Sequence, residues 1–260
     1  MSTFIVSLQT TTPVVIGKWM TLDGILDGIL EAEELPPKRR VVPLVSWDGV
    51  DKHVDLDTEA IQQRGLVHMA SAMRVKGTTV KTDPTGELYF ETTRPFTTQI
   101  TLRGGHSPVR DFHDERFPFV NGRGGEATKF ETGRMESKAW TTSRLTLNPC
   151  RLEWLAQGDP EAVVDILCRA DGIGAKRSSG MGRFDLHSVE IELLEGVSDL
   201  AGVLDEDGDF VHRPVPLRML PEGPRGRAAM QTCRNPYWDR SGVEAAGVPL
   251  ARHHDGLLTI

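Results

Sequence analysis

Residues 172–182, Gly-Ile-Gly-Ala-Lys-Arg-Ser-Ser-Gly-Met-Gly, set four glycines around two adjacent cations. Glycine has no Cβ and tolerates positive φ, so such a loop lets a ligand backbone come close to the main chain. Lys176 and Arg177 bring charge suited to phosphate, and the chemistry this implies is capture of a polyanion. The spacing fits two nucleotide-binding motifs only weakly. A dinucleotide fingerprint needs G-x-G-x-x-G between a strand and a helix, but position 177 is Arg and the order here is helix, loop, strand. A Walker A loop needs Gly-Lys-Ser/Thr at its end, and Gly180 is followed by Met181 and Gly182. The other reading is a solvated turn whose glycines only permit tight geometry.

A second group of chemically suggestive residues lies in 94–140. It holds Arg103-Gly-Gly-His106, the charged aromatic run from Arg110 to Phe117, and Asn121-Gly-Arg123-Gly-Gly125. Phe112, Phe117 and Phe119 are candidates for base stacking beside Arg103, Arg110, Arg116, Arg123, Lys129 and Arg134. The same aromatics would equally serve to anchor an insertion to a core. The formal charge of −7 speaks against a uniformly cationic binder, yet residues 94–151 carry ten Lys or Arg against six acids. Residues 213–240 carry six Arg against two acids, so Arg213, Arg218, Arg225, Arg227 and Arg234 are a second candidate contact, for RNA or protein. Tyr237-Trp238, between Arg234 and Arg240, adds a candidate partner anchor.

Catalytic signals do not converge. No His-Glu-x-x-His or zinc-like Cys/His spacing occurs, and the grouped Asp48, Asp51, Asp55 and Asp57 are equally explained by solubility. The three cysteines contain no C-x-x-C pair, and Cys168, late in an apolar helical run, is expected to be a small buried hydrophobe. His68 is expected to be a hydrogen-bonded structural residue.

The elements that would position these residues follow from periodicity. Phe4, Val6 and Leu8 alternate on a first strand, and Val14–Ile16 is a short extended piece. A helix from about Thr21 to Glu34 buries Leu22, Ile25, Leu26, Ile29 and Leu30, with Thr21 as its cap and close packing expected at Gly24 and Gly28. A short helix or two turns falls within 58–73, a turn at Asp83–Gly86 and a strand at Leu88–Phe90. Further strands are expected at Lys138–Leu147 and Leu152–Leu155. Asp159-Pro160-Glu161 then starts a helix that Gly172 is expected to terminate in a left-handed conformation. The apolar parity changes near Ser188, which predicts a bulge or bend in the strand that follows. Asp205–Asp209 reads as an acidic turn without the EF-hand ligand series. No run of 18 apolar residues and no basic-then-hydrophobic leader occurs, so an intracellular, cytoplasmic protein without membrane contact is expected.

The pattern Gly172-x-Gly174-x-Lys176-Arg177-x-x-Gly180-x-Gly182 followed by Phe184 resembles the RAMP proteins of CRISPR effector complexes, as does the early Leu22-Asp-Gly-Ile-Leu26. With the length and acidic balance, the chain looks most like the subunit that caps the 5′ end of CRISPR RNA (crRNA) in type IV systems. The family-like order covers the first 195 residues and leaves the last 65 unmatched. The resemblance implies an α+β fold: a ferredoxin-like, RNA-recognition-type domain over 1–195 with a long basic insertion at about 94–140, and a small C-terminal extension or subdomain over 196–260. It implies a non-catalytic subunit, without cofactor or metal, that binds the crRNA 5′ handle. Gly174, Lys176, Arg177, Ser178, Ser179, Gly180 and Gly182 would make the contact, joined by Arg103, His106, Arg110, Phe112, Arg116, Phe117, Arg123, Lys129 and Arg134. The implied partners are crRNA, the backbone RAMP subunit and the large subunit, with target DNA as a further candidate. Some relatives process precursor crRNA, so His68, His106 and His113 keep open a metal-free endoribonuclease. A protein-only scaffold is the third reading.

Overall fold

The computed structural model describes residues 2–15, 20–76, 80–82, 88–90, 93–103, 137–147, 149–174, 177, 180–205, 208, 210–220, 227–234, 243–249, 252–254 and 257–259. They form a mixed α+β fold with several antiparallel sheets, in two compact units: Met1–Thr93 with Leu147–Ile260, and Arg94–Thr146. The second unit carries most of two long strands, Thr93–Arg103 and Ser137–Leu147, which are neighbours in one sheet.

The first unit is built on a six-stranded sheet. Across it run Glu190–Leu194, Ser2–Gln9, Arg151–Gly158, Arg74–Lys76, Leu257–Thr259 and Arg252–His254. Neighbouring strands pair antiparallel throughout, and the central register runs from Ser2 opposite Gly158 to Gln9 opposite Arg151. The alternation of Phe4, Val6 and Leu8 dictates this arrangement, because strand side chains repeat every second residue and these three are fully buried. Leu152, Trp154 and Ala156 answer them from the facing strand, and all six belong to one core. Such side chains stabilise the fold by roughly 1.5–3 kcal/mol each when buried at leucine or phenylalanine size.

Two helices cover that face. α1, Leu22–Ala32, buries Leu22, Leu26, Ile29 and Leu30, and α3, Pro160–Leu167, buries Val163, Ile166 and Leu167. The Trp154 indole N–H donates to the Met20 carbonyl at 2.9 Å, fixing the approach to α1. Asp159 caps α3 as its sequence predicts, accepting from the Glu161 and Ala162 amides. Between these two helices in the chain comes α2, Thr58–Arg64, capped by the Asp57 carboxylate on the Ala60 amide and closed by Gly65 at φ 68°.

Several expectations are corrected. Thr21 stands at the N-cap of α1 but makes no side-chain cap bond there. Gly28 is not a close-packing position, since a Cβ placed on it meets nothing within 4 Å. α3 ends at Leu167 with Cys168 in right-handed conformation, well before Gly172, and the early stop leaves Cys168 exposed rather than buried. The parity change near Ser188 is a single 3-10 turn, Leu186–Ser188, with the Asp185 carboxylate accepting from the His187 amide, and the strand starts only at Glu190. The Asp83–Gly86 turn and Ile16 lie outside the described residues.

Residues beyond 195 build a second core with the middle of the chain. Val45, Trp47, Val67 and Met69 pack with Val203, Leu204, Val211, Val215, Met219, Leu220, Cys233 and Ala246. Strands Val215–Pro216, Val243–Val248 and Arg227–Thr232 form a small antiparallel sheet there. Arg213, fully buried, reaches back to α1: its guanidinium donates to Asp23 at 3.1 and 3.4 Å, to the His68 carbonyl at 2.6 Å and to the Cys233 carbonyl at 2.9 Å.

The packing has two consequences for stability. Gly28→Ala should raise unfolding free energy by about 1 kcal/mol in chemical denaturation, since helix propensity improves and no neighbour is displaced. Arg213→Met should cost about 3–5 kcal/mol by stranding the Asp23 carboxylate, whereas Arg213→Met with Asp23→Leu should recover most of that loss. Equal stability of the single and double variants would show that the ion pair is not the source of the effect.

Candidate nucleic-acid interface

The glycine-rich loop leaves α3 and docks onto residues that follow the first strand. Ile173, almost fully buried, drops into the main core and holds the loop at its start. Its amide donates to the Gly182 carbonyl at 2.9 Å, and the Gly182 amide donates to the Pro13 carbonyl at 2.9 Å. The Thr12 hydroxyl donates to the Gly180 carbonyl at 3.0 Å and accepts from the Arg183 amide at 2.8 Å. The Thr11 amide and hydroxyl both donate to the Arg183 carbonyl. Gly180, Gly182 and Arg183 are thereby laced to Thr11–Pro13.

This geometry separates the glycines by what they do. A Cβ on Gly182, at φ 71°, would collide with the Ile173 carbonyl, and one on Gly174, at φ 78°, would stand 2.7 Å from the Val15 carbonyl. Both glycines are required by contacts inside the protein. At Gly180 the nearest atom to a Cβ among the described residues would be the Arg183 Nε at 4.0 Å, an ordinary contact with a flexible side chain, so no described main-chain atom crowds that position.

Arg177 and Arg183 flank Gly180 and both are exposed. The Gly180 amide donates to the Arg177 carbonyl at 2.8 Å, which closes the turn between them. Neither guanidinium is in an ion pair among the described residues, which leaves their forked donors for a phosphate. Arg183 was not singled out by sequence reasoning, although a cation directly after Gly-Met-Gly is a legible signal. Lys176, Ser178 and Ser179 lie outside the described residues.

The second group of candidates belongs to the other unit. Arg103 closes the strand Thr93–Arg103, while His106, Arg110, Phe112, Arg116, Phe117, Arg123, Lys129 and Arg134 lie outside the described residues, as do Phe119 and His113. The C-terminal arginines divide differently from expectation. Arg213 is buried against Asp23, while Arg218 and Arg234 share Glu244 at 3.3 and 2.8 Å, with Arg218 half-exposed. Arg225, Tyr237, Trp238 and Arg240 lie outside the described residues.

Groups that would serve hydrolytic chemistry are tied up. His68 is buried in the region of the second core, its Nδ1 3.2 Å from the Ser46 hydroxyl, and burial pushes its pKa down to about 4. Asp48 accepts from the Val50 and Asp51 amides and pairs with His53 at 3.0 Å, which holds its carboxyl well below the usual range, and Asp57 is spent on its helix cap. Among the described residues no group of three metal-capable side chains exists. Burial pushes the Cys150 and Cys233 thiols up to about 11 and about 12, so neither is a thiolate nucleophile. No helix among the described residues is long and apolar enough to cross a membrane.

His68 yields a pH prediction. Its folded pKa lies below the ordinary 6.5, so between about 6.5 and about 4 the unfolded chain binds a proton that the folded chain does not. Stability should fall as pH drops through that window and level off below it, and His68→Gln should flatten this part of the profile in denaturation measured at stepped pH. Compared with known proteins, the chain matches no family model and no curated sequence.

Proposed function

We propose that this chain is a non-catalytic RNA-binding subunit of a CRISPR ribonucleoprotein complex, of the type IV kind, which holds the 5′ handle of crRNA on the loop 172–183. The observation that carries this reading is strand order. Taken in chain order, Ser2–Gln9, Arg74–Lys76, Arg151–Gly158 and Glu190–Leu194 are first to fourth, and across the sheet they run fourth, first, third, second. α1 follows the first and α3 the third, an order that supports the split β-α-β arrangement of a ferredoxin-like, RNA-recognition-type domain. In that frame the glycine-rich loop emerges between the second framing helix and the fourth strand, the position the RAMP resemblance assigns to it.

The loop then works as a phosphate clamp. Arg177 and Arg183 take successive backbone phosphates around Gly180, joined by Lys176, the neighbour of Arg177 in sequence. Such contacts position RNA without reading it, so selectivity for the handle comes from unpaired bases bracketed by the basic, aromatic segment from Arg103 to Arg134. The backbone and large subunits of the same complex are the protein partners in this proposal. The burial of His68 speaks against its use as a general base for RNA cleavage.

The test is co-expression with a CRISPR array and the neighbouring subunits, followed by sequencing of bound RNA with its 5′ ends resolved. A uniform repeat-derived 5′ end supports handle capture, and heterogeneous RNA or none supports a protein-only scaffold. With purified protein, Arg177→Ala with Arg183→Ala should weaken binding across sequences and reduce the log–log salt slope by roughly 0.7 for each phosphate that is no longer neutralised. An unchanged slope in the folded variant removes these arginines from the interface.

A further inference from the structure

The sheet's first edge is open and chemically biased. Glu190–Leu194 is the end strand of the six, and among the described residues no strand pairs with its outer side. Leu193 stands opposite Phe4, yet Phe4 is fully buried whereas Leu193 is 61% exposed. Beside it, Val41 and Val54, each 40% exposed, line the same groove of about 670 Å³. The charged residues lining that groove are Asp55, Asp159 and Glu161, all acids and all exposed. Glu192 alternates onto the opposite side of the edge strand and is exposed there.

We infer that this edge and groove take up an extended segment of a partner protein in which apolar residues alternate with lysine or arginine. The segment adds as a further strand, with main-chain hydrogen bonds supplying affinity and alternate side chains supplying specificity. Its apolar side chains lie on Leu193, Val41 and Val54, and its cations, one residue out of phase, project from the opposite face toward Glu192. Glu192 and the groove's acids disfavour the alternatives: an RNA backbone is repelled, and pairing with a second copy would bring like-charged edges together.

The experiment uses the full chain and a fluorescein-labelled decapeptide of alternating valine and lysine, followed by anisotropy at physiological ionic strength. Saturable binding is expected, with about tenfold or greater weakening in Leu193→Lys and in Glu192→Lys, the second chosen because an exposed edge-strand position tolerates the change. A valine–glutamate peptide, and the lysine peptide N-methylated at every second amide, should both fail to bind. Equal binding of either control, or undiminished binding by both variants, overturns the proposal. So does a concentration-dependent dimer that Leu193→Lys dissolves, because the edge then belongs to a second copy.

Discussion

A guanidinium with no exposed surface is the constraint on which the first unit depends. Arg213 and Asp23 are both withdrawn from water, and two such charges coexist only where opposite charge and hydrogen bonds replace hydration. Asp23 sits in the first turn of α1, and Arg213 also donates to the carbonyls of His68, Ala70 and Cys233. One side chain thus ties the helix over the main sheet to the strand leading into that core and to the small C-terminal sheet. The same burial makes a charged imidazole at His68 costly, since desolvation and the nearby cation both favour its neutral form.

This pairing changes what the charge pattern means. Counted along the chain, 213–240 is strongly basic, but Arg213 answers Asp23 while Arg218 and Arg234 share Glu244. Asp23 offsets the charge of Arg213, and the single Glu244 carboxylate offsets one of the two charges on Arg218 and Arg234. At the glycine-rich loop the situation is reversed, because Arg177 and Arg183 stand exposed, while Gly180, Gly182 and Arg183 bond through their main chain to Thr11, Thr12 and Pro13.

The parts of the fold legible in the sequence are those set by local periodicity and caps. Phe4, Val6 and Leu8 declare their strand, and Asp159-Pro160 declares the start of α3, because one residue type at one spacing suffices in each case. What remained hidden was decided by distant partners. Asp23 and Arg213 are 190 positions apart, and nothing local marks either as half of a buried pair. The glycines show the same limit: four look alike in the sequence, yet Gly174 and Gly182 are required by Val15 and Ile173, whereas Gly180 meets only the Arg183 side chain among the described residues. Cys168 was misplaced by a single turn, since a helix end is set by competing backbone bonds, not by the apolar run that precedes it. The four-strand order needs contacts between the ends of the chain and its middle, so only the succession of elements, not their arrangement, can be read locally.

The two proposed surfaces lie at opposite ends of one strand. The loop docks on Thr11–Val15, just beyond the end of Ser2–Gln9, whereas the groove is lined by Ser2 at its start. Eight residues of strand span about 26 Å at roughly 3.3 Å per residue. Physiological salt screens exposed charges over about 8 Å, so the acids of the groove exert little repulsion on an anion held at the loop. A chain of net charge −7 can therefore present a cationic site at one end and an anionic site at the other. The strand acts as the spacer that makes the two compatible, and the sign of the net charge says little about which polyelectrolyte either end will take.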